Sequence, residues 1–297
     1  MKNLFKKIEG YHKVIDEKSI SEKVNVYRTK IYDDREKLDL IKFAVSLIDL
    51  TTLEGSDTKE KVNQLCKKAI KPIEEESDFP HCGAVCVYPA LLKYAAKELK
   101  DSEVKLASVA TGFPSGQYPL KIKLADVKYC IGKRVDEIDM VISRGEFLMG
   151  NYDYVYDEIR KVRKLCKSNK LKKRTHLKVI LETGELENYD NVRKASFVAM
   201  LAGADFIKTS TGKIPFAATL PVVHVMCESI KDYYNVTGIK VGIKAAGGIK
   251  TTDDALGYIA LVKDVLGEDW LTPKLFRIGA SSLLNDLLLQ YKELKDK

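Results

Sequence analysis

Two lysines stand at the ends of apolar, strand-like runs, where an amine without a task is uncommon. Lys208 ends the apolar run within Ala-Asp-Phe-Ile-Lys-Thr-Ser-Thr-Gly-Lys, residues 204–213, and Lys244 holds the same point of Val-Gly-Ile-Lys-Ala-Ala-Gly-Gly. Desolvation and a neighbouring cation both disfavour an ammonium ion, and an uncharged lysine amine attacks carbonyl carbons to form a Schiff base. One strand-end lysine is equally well read as a side chain snorkelling to water. Two, each beside glycines and hydroxyls, read as a site.

The elements that would position these amines alternate along the chain. Short β-branched runs at residues 45–50, 84–88, 106–111, 137–143, 177–183, 205–211, 240–246 and 276–280 predict eight strands. Helical patterns lie between them, for example 57–70, opening with Asp57 and Glu60 as a capping box, then 192–201, 219–234 and 253–266. Repeated strand and helix units predict an α/β protein with a parallel sheet, and eight is the number that closes as a (β/α)8 TIM barrel. A doubly wound open sheet is the alternative. No composition break marks a second domain, so residues 41–297 are expected to form one barrel. Residues 1–40 are expected to form a helical extension packed on it, because Leu4, Ile8, Tyr11 and Ile15 recur at helical spacing.

Barrel strands alternate side chains between the lumen and the helix layer. If Ile138, Met140 and Ile142 face the helices, Asp139 faces in; Leu177, Val179 and Leu181 likewise turn Lys178 inward. Ile48 leaves Asp49 inside, Val85 and Val87 leave Cys86 inside, and Ile207 and Ile243 do the same for Lys208 and Lys244. Two aspartates and three lysines would then converge. Buried charges are costly, and branched aliphatics usually fill a barrel, so the convergence favours catalysis over structure.

Three loops beyond the later strands suit an anion. They are Thr211-Gly212-Lys213, Gly247-Gly248-Ile249-Lys250 and Gly279-Ala280-Ser281-Ser282. Glycines let backbone amides approach closely, the last segment opens a helix, and barrels often bind phosphate after strands seven and eight.

Bulk properties narrow the class. The chain has 297 residues, 45% hydrophobic and 31% charged, and no apolar run approaches the ~18 residues of a membrane span. Its net charge of +8 comes from scattered lysines and a denser run over 160–174, which lacks the aromatic or glycine companions of a nucleic-acid patch. Six widely spread cysteines suit a reducing compartment, and neither they nor the four histidines form a metal motif. The first residues lack an apolar signal core and are not acid-poor, which makes cytoplasmic residence the expectation.

With these residues in place, the chain resembles the deoxyribose-phosphate aldolase family. The likeness spans residues 47–288 and rests on Ile-Asp-Leu-Thr-Thr-Leu from Ile48, Val-Cys-Val-Tyr-Pro from Val85, Leu-Glu-Thr-Gly-Glu-Leu from Leu181, Asp-Phe-Ile-Lys-Thr-Ser-Thr-Gly-Lys from Asp205 and Gly-Ala-Ser-Ser-Leu-Leu from Gly279. The resemblance implies a metal-independent class I aldolase that uses no cofactor and reversibly splits 2-deoxy-D-ribose 5-phosphate into D-glyceraldehyde 3-phosphate and acetaldehyde. It places the Schiff-base lysine on Lys208, the second active-site lysine on Lys244 and the proton-relay aspartate on Asp139. Asp49, Thr51, Cys86 and Lys178 would line the pocket; Thr211, Gly212, Lys213, Gly247, Gly248, Gly279, Ser281 and Ser282 would take the phosphate end. The expected partners are phosphorylated sugar and aldehyde substrates, with a homodimer considered and neither nucleic acid nor membrane expected. The chain departs from the family pattern at Ala245, where proline is usual, and at its end, where no tail tyrosine follows Tyr291. The long extension is more like the eukaryotic branch. Two rivals stand beside this reading: an aldolase of the same architecture for another sugar phosphate, and a scaffold that has kept the barrel to bind a partner.

Overall fold

The computed structural model describes Gly10, residues 15–167 and residues 174–297. Leu4, Ile8 and Tyr11 of the expected N-terminal helix lie outside the described residues, as do Lys170, Lys172 and Lys173 of the basic run. Eight parallel strands follow one another round a closed ring: β1 (Ile48–Thr51), β2 (Ala84–Val87), β3 (Lys105–Ala110), β4 (Glu137–Val141), β5 (His176–Ile180), β6 (Phe206–Lys208), β7 (Gly242–Ala246) and β8 (Phe276–Ala280). Closure is carried by β1 against β8, with Ile48 opposite Ile278 and Asp49 opposite Gly279. This is a (β/α)8 barrel, and the open-sheet alternative is excluded.

Among the described residues two full helices precede the ring, α1 (Glu17–Arg28) and α2 (Asp34–Leu47). Asp16 and Asp33 cap them, each carboxylate accepting from backbone amides of the first turn. Ile20 and Val24 of α1 are buried, and Tyr27 donates to Asp264 of the barrel's outer layer at 2.6 Å. α2 runs unbroken through residue 40 and delivers the chain directly into β1, so a division at 40 and 41 falls inside a helix.

That helix also corrects the first strand. Residues 45–47 were expected in β1 and instead form the last turn of α2, because Ile41, Ala44 and Val45 bury one helical face. The remaining helices are α3 (Lys59–Ile70), α4 (Leu92–Glu98), α5 (Leu120–Gly132), α6 (Arg144–Leu148), α7 (Tyr152–Lys167), α8 (Tyr189–Leu201), α9 (Leu220–Thr237), α10 (Thr252–Leu266) and α11 (Leu283–Lys295). α3 is capped by Thr58, not by Asp57 and Glu60; Asp57 instead accepts from Thr52, the Glu54 amide and Lys61, and so pins the loop after β1. A capping box does occur at α10, between Thr251 and Asp254.

The outward side chains of the strands, including Ile48, Val85, Ile138, Met140, Val179, Ile207, Ile243 and Ile278, join the helices in one buried core. The lumen is divided. Ala84, Cys86, Ala107 and Val109 of β2 and β3 fill one side with small apolar groups under Leu53. The other side, from β4 round to β1, is charged.

Candidate active site

The charged half of the lumen is a continuous set of ion pairs, every member from an inward strand position. Lys208 Nζ donates to Asp139 Oδ2 at 2.7 Å, and Lys244 Nζ donates to the same oxygen at 2.7 Å and to Asp49 Oδ2 at 2.5 Å. Lys178 lies 3.2 Å from carboxylate oxygens of both Asp139 and Asp49 and is paired more tightly with Glu137. Arg277 closes the set, donating to Asp49 Oδ1 at 2.5 Å and to Glu137 Oε1 at 2.9 Å. Strand register makes these meetings possible: Lys208 pairs directly across the ladder with Lys244, and Asp139 with Lys178. Glu137 and Arg277 were not anticipated, although the same alternation that turns Asp139 inward also turns Glu137, two residues earlier on β4.

Burial and charge act differently on each group. Burial disfavours the ionised form of Asp139, but Lys178, Lys208 and Lys244 more than offset it and hold the carboxyl well below its ordinary range. Asp49 is held low for the same reason by Lys178, Lys244 and Arg277. The lysines divide: burial would lower all three, yet Asp139 and Asp49 keep Lys178 and Lys244 above their ordinary value. Lys208 goes the other way, lowered by burial and then by Lys244 despite its bond to Asp139. Cys86 is a neutral thiol, pushed up to about 11 by burial and by Asp139.

Above this set a cavity of about 540 Å³ opens at the C-terminal ends of the strands. Of the three lumen lysines, Lys208 lines it. Thr51, Thr211, Gly212, Lys213, Gly247, Gly248, Gly279, Ser281 and Ser282 line it too, as their loops required. Asp49, Cys86 and Lys178 were expected on the pocket wall and are not there. All three are fully buried beneath it, Asp49 and Lys178 engaged in ion pairs and Cys86 packed among the small residues of the apolar side.

Residues 43–288 match the DeoC/LacD family aldolase profile. The chain belongs to the DeoC/LacD aldolase family. A Caenorhabditis elegans relative is 49% identical over 275 residues, 92% of this chain and 88% of its own. The deoxyribose-phosphate aldolase of Homo sapiens is 48% identical over 254 residues, 82% of this chain and 78% of its own. Among solved structures, the deoxyribose phosphate aldolase from Aeropyrum pernix, described as a tetramer, superposes with a TM-score of 0.65 at 26% identity, covering 88% of this chain and 98% of that one.

In this DeoC/LacD family member the rim of the cavity is built from loops with fixed backbones. Glu182 is buried with a left-handed φ of 55°, a conformation sustained only by strong surrounding contacts. It accepts from the Thr211 amide at 3.1 Å and the Thr211 hydroxyl at 2.5 Å, and Arg144 donates to it at 3.1 Å while also holding the Pro114 and Ser115 carbonyls. Burial raises the Glu182 carboxyl above its ordinary value. Gly247, at φ +82°, passes so close to the neighbouring loop that an added Cβ would stand 2.6 Å from Cβ of Ala217. Lys213 reaches across the opening to Glu54 at 2.7 Å. α11 begins beside Ser281 and Ser282 with no side chain capping its first amides, which leaves them for an anion.

The two departures from the family pattern have plain structural outcomes. Ala245 is fully buried in β7 opposite Ile278 and continues the ladder. Tyr291 is tied down on α11, donating to Glu76 at 2.9 Å and packed edge-on against Phe79 at 4.8 Å.

Proposed function

We propose that this chain is a deoxyribose-phosphate aldolase of the class I, Schiff-base type, acting reversibly on 2-deoxy-D-ribose 5-phosphate to give D-glyceraldehyde 3-phosphate and acetaldehyde. The observation that carries the reading is Lys208: it is the buried lysine that both lines the cavity and has its amine pushed toward the uncharged, nucleophilic form. Family membership and the human relative support the substrate.

On this reading Lys208 Nζ attacks the aldehyde carbon of the open-chain sugar, and loss of water gives an iminium. The C2–C3 bond then breaks, its electron pair passing into the iminium to leave an enamine, while the C3 hydroxyl gives up its proton as the departing aldehyde forms. Protonation of the enamine carbon restores the iminium, and hydrolysis releases acetaldehyde and the free amine. Asp139 accepts from both Lys208 and Lys244, which suits it and Lys244 to move these protons, directly or through a bridging water. Lys213, the glycine amides and the start of α11 would hold the phosphate, Glu54 yielding Lys213 to the dianion. Asp49 and Lys178 support from below without touching substrate.

The test is borohydride trapping with 2-deoxyribose 5-phosphate, followed by peptide mass mapping. A reduced adduct is expected on Lys208, absent in Lys208→Ala along with turnover. A folded wild-type protein that gives no adduct and releases no acetaldehyde would defeat the proposal, and turnover of a different sugar phosphate would move it to that substrate. A homodimer and cytoplasmic residence are part of the same proposal; the six free cysteines, all buried, suit a reducing compartment, and sedimentation velocity reads the assembly.

A further inference from the structure

The lumen cluster is balanced in charge only while Lys208 is uncharged. Lys178, Lys244 and Arg277 supply three positive charges, and Asp49, Asp139 and Glu137 supply three negative ones. Cys86 from β2 is neutral, and β3 contributes only Ala107 and Val109 to this level of the lumen. A proton on Lys208 would therefore leave one uncompensated positive charge among groups that are almost wholly removed from water. Such a charge is expensive, because Lys208 is almost wholly buried and its carboxylate partner, Asp139, is already shared with Lys178 and Lys244.

We infer that Glu137 and Arg277, which lie away from the cavity, are positioning residues that set the charge count of the lumen and thereby keep the Lys208 amine a nucleophile. Glu137 holds Arg277 and Lys178, and Arg277 holds Asp49, which in turn holds Lys244. The pair thus fixes both the geometry and the net charge beneath the reacting amine. The inference rests on Lys208 being the reacting amine, as proposed above, and it explains a further property of that chemistry. An iminium on Lys208 brings back the same unpaired positive charge. Breaking the C2–C3 bond moves that charge off Lys208: the iminium becomes a neutral enamine while the proton leaving the C3 hydroxyl passes to Asp139, to Lys244 or to a water bridging them.

Opposite substitutions should act with opposite sign. Glu137→Gln removes a negative charge, disfavours ammonium and lowers the Lys208 pKa; Arg277→Met removes a positive charge and raises it. At separations of several ångströms in a protein interior each change is expected to move the midpoint by about one to two pH units. The measurement is the pH dependence of acetic anhydride labelling at Lys208, resolved by peptide mass mapping in protein without substrate. Because no sugar is present, a wrong substrate assignment leaves this result untouched, whereas trapping in the same variants reports on the assignment itself.

The double variant Glu137→Gln/Arg277→Met restores the count and should return the midpoint to near the wild-type value. Arg277→Lys, which keeps the charge, should leave it close to wild type and provides a folded reference if Arg277→Met is too unstable to study. Midpoints that move in the same direction, that do not move, or that are not restored in the double variant would overturn the inference. A purely structural role for the pair would lower activity in both single variants without separating their pH profiles.

Discussion

Lys208 holds its proton less tightly than an ordinary lysine for two physical reasons, burial first and the charge of Lys244 second, and Asp139 opposes both. The balance is a local one, since Lys178 and Lys244 are also buried and are held above their ordinary value by two aspartates each. Lys244→Leu is accordingly expected to raise the Lys208 pKa, because it removes a cation and leaves Asp139 to Lys208 and Lys178. An amine that must be unprotonated to attack then reaches that form only at higher pH. The acidic limb of kcat/KM should shift upward by about one to two pH units, beside any loss of maximal rate. A limb that stays in place would contradict the like-charge contribution. At this scale much was legible in the sequence: alternation alone brings Asp49, Asp139, Lys178, Lys208 and Lys244 to one lumen. Glu137 and Arg277 escaped because they lie early on their strands, where a charge ordinarily reads as a solvent-facing residue at the rim.

The strands set how closely these side chains can approach, and β8 shows it best. Gly279 stands on the lumen side opposite Ala246, and a Cβ there would be 2.9 Å from the Ala246 Cβ and 3.0 Å from Lys244 Cε. The missing side chain is the space through which Lys244 extends to Asp49 and Asp139. Gly279→Ala should displace the Lys244 amine, and a misplacement of this kind can cost on the order of 10²-fold in kcat. Measured KM and melting temperature separate this from loss of the phosphate rim or of the fold: the expected signature is a fall in kcat with little change in melting. Element boundaries were less legible than element order. The run through residues 45–50, Val-Ser-Leu-Ile-Asp-Leu, is mostly apolar and too short to carry a period that marks where α2 becomes β1. Five strands were drawn too long at their C-terminal ends because residues such as Ser143, Thr183 and Thr211 look strand-like while their backbones already belong to the loops that build the site. The exchange of Thr58 for Asp57 as a cap has the same origin, since both residue types cap helices and only the loop's own hydrogen bonds decide between them.

For the whole molecule, α1 and α2 are part of the packed structure. Ile20 and Val24 are buried against the barrel's outer helices, so Ile20→Ala should cost about 2 kcal/mol of stability, measurable by denaturant unfolding, while leaving the Lys208 adduct intact. A loss of adduct formation in a folded Ile20→Ala protein would show that the extension reaches the site. The pairing of β1 with β8 has one more consequence. Asp49 meets Lys244 across 195 residues of chain and Arg277 across 228, so two of the three cation contacts that balance its charge form only when the ring shuts. Contacts between such distant partners carry the largest loop-closure cost and come late in folding. On the proposed mechanism the nucleophile is therefore a product of closure: a chain that has folded only its earlier strands holds Asp49 without Lys244 or Arg277, and Lys208 gains the buried setting and the neighbouring cation that lower its pKa only as the barrel is completed.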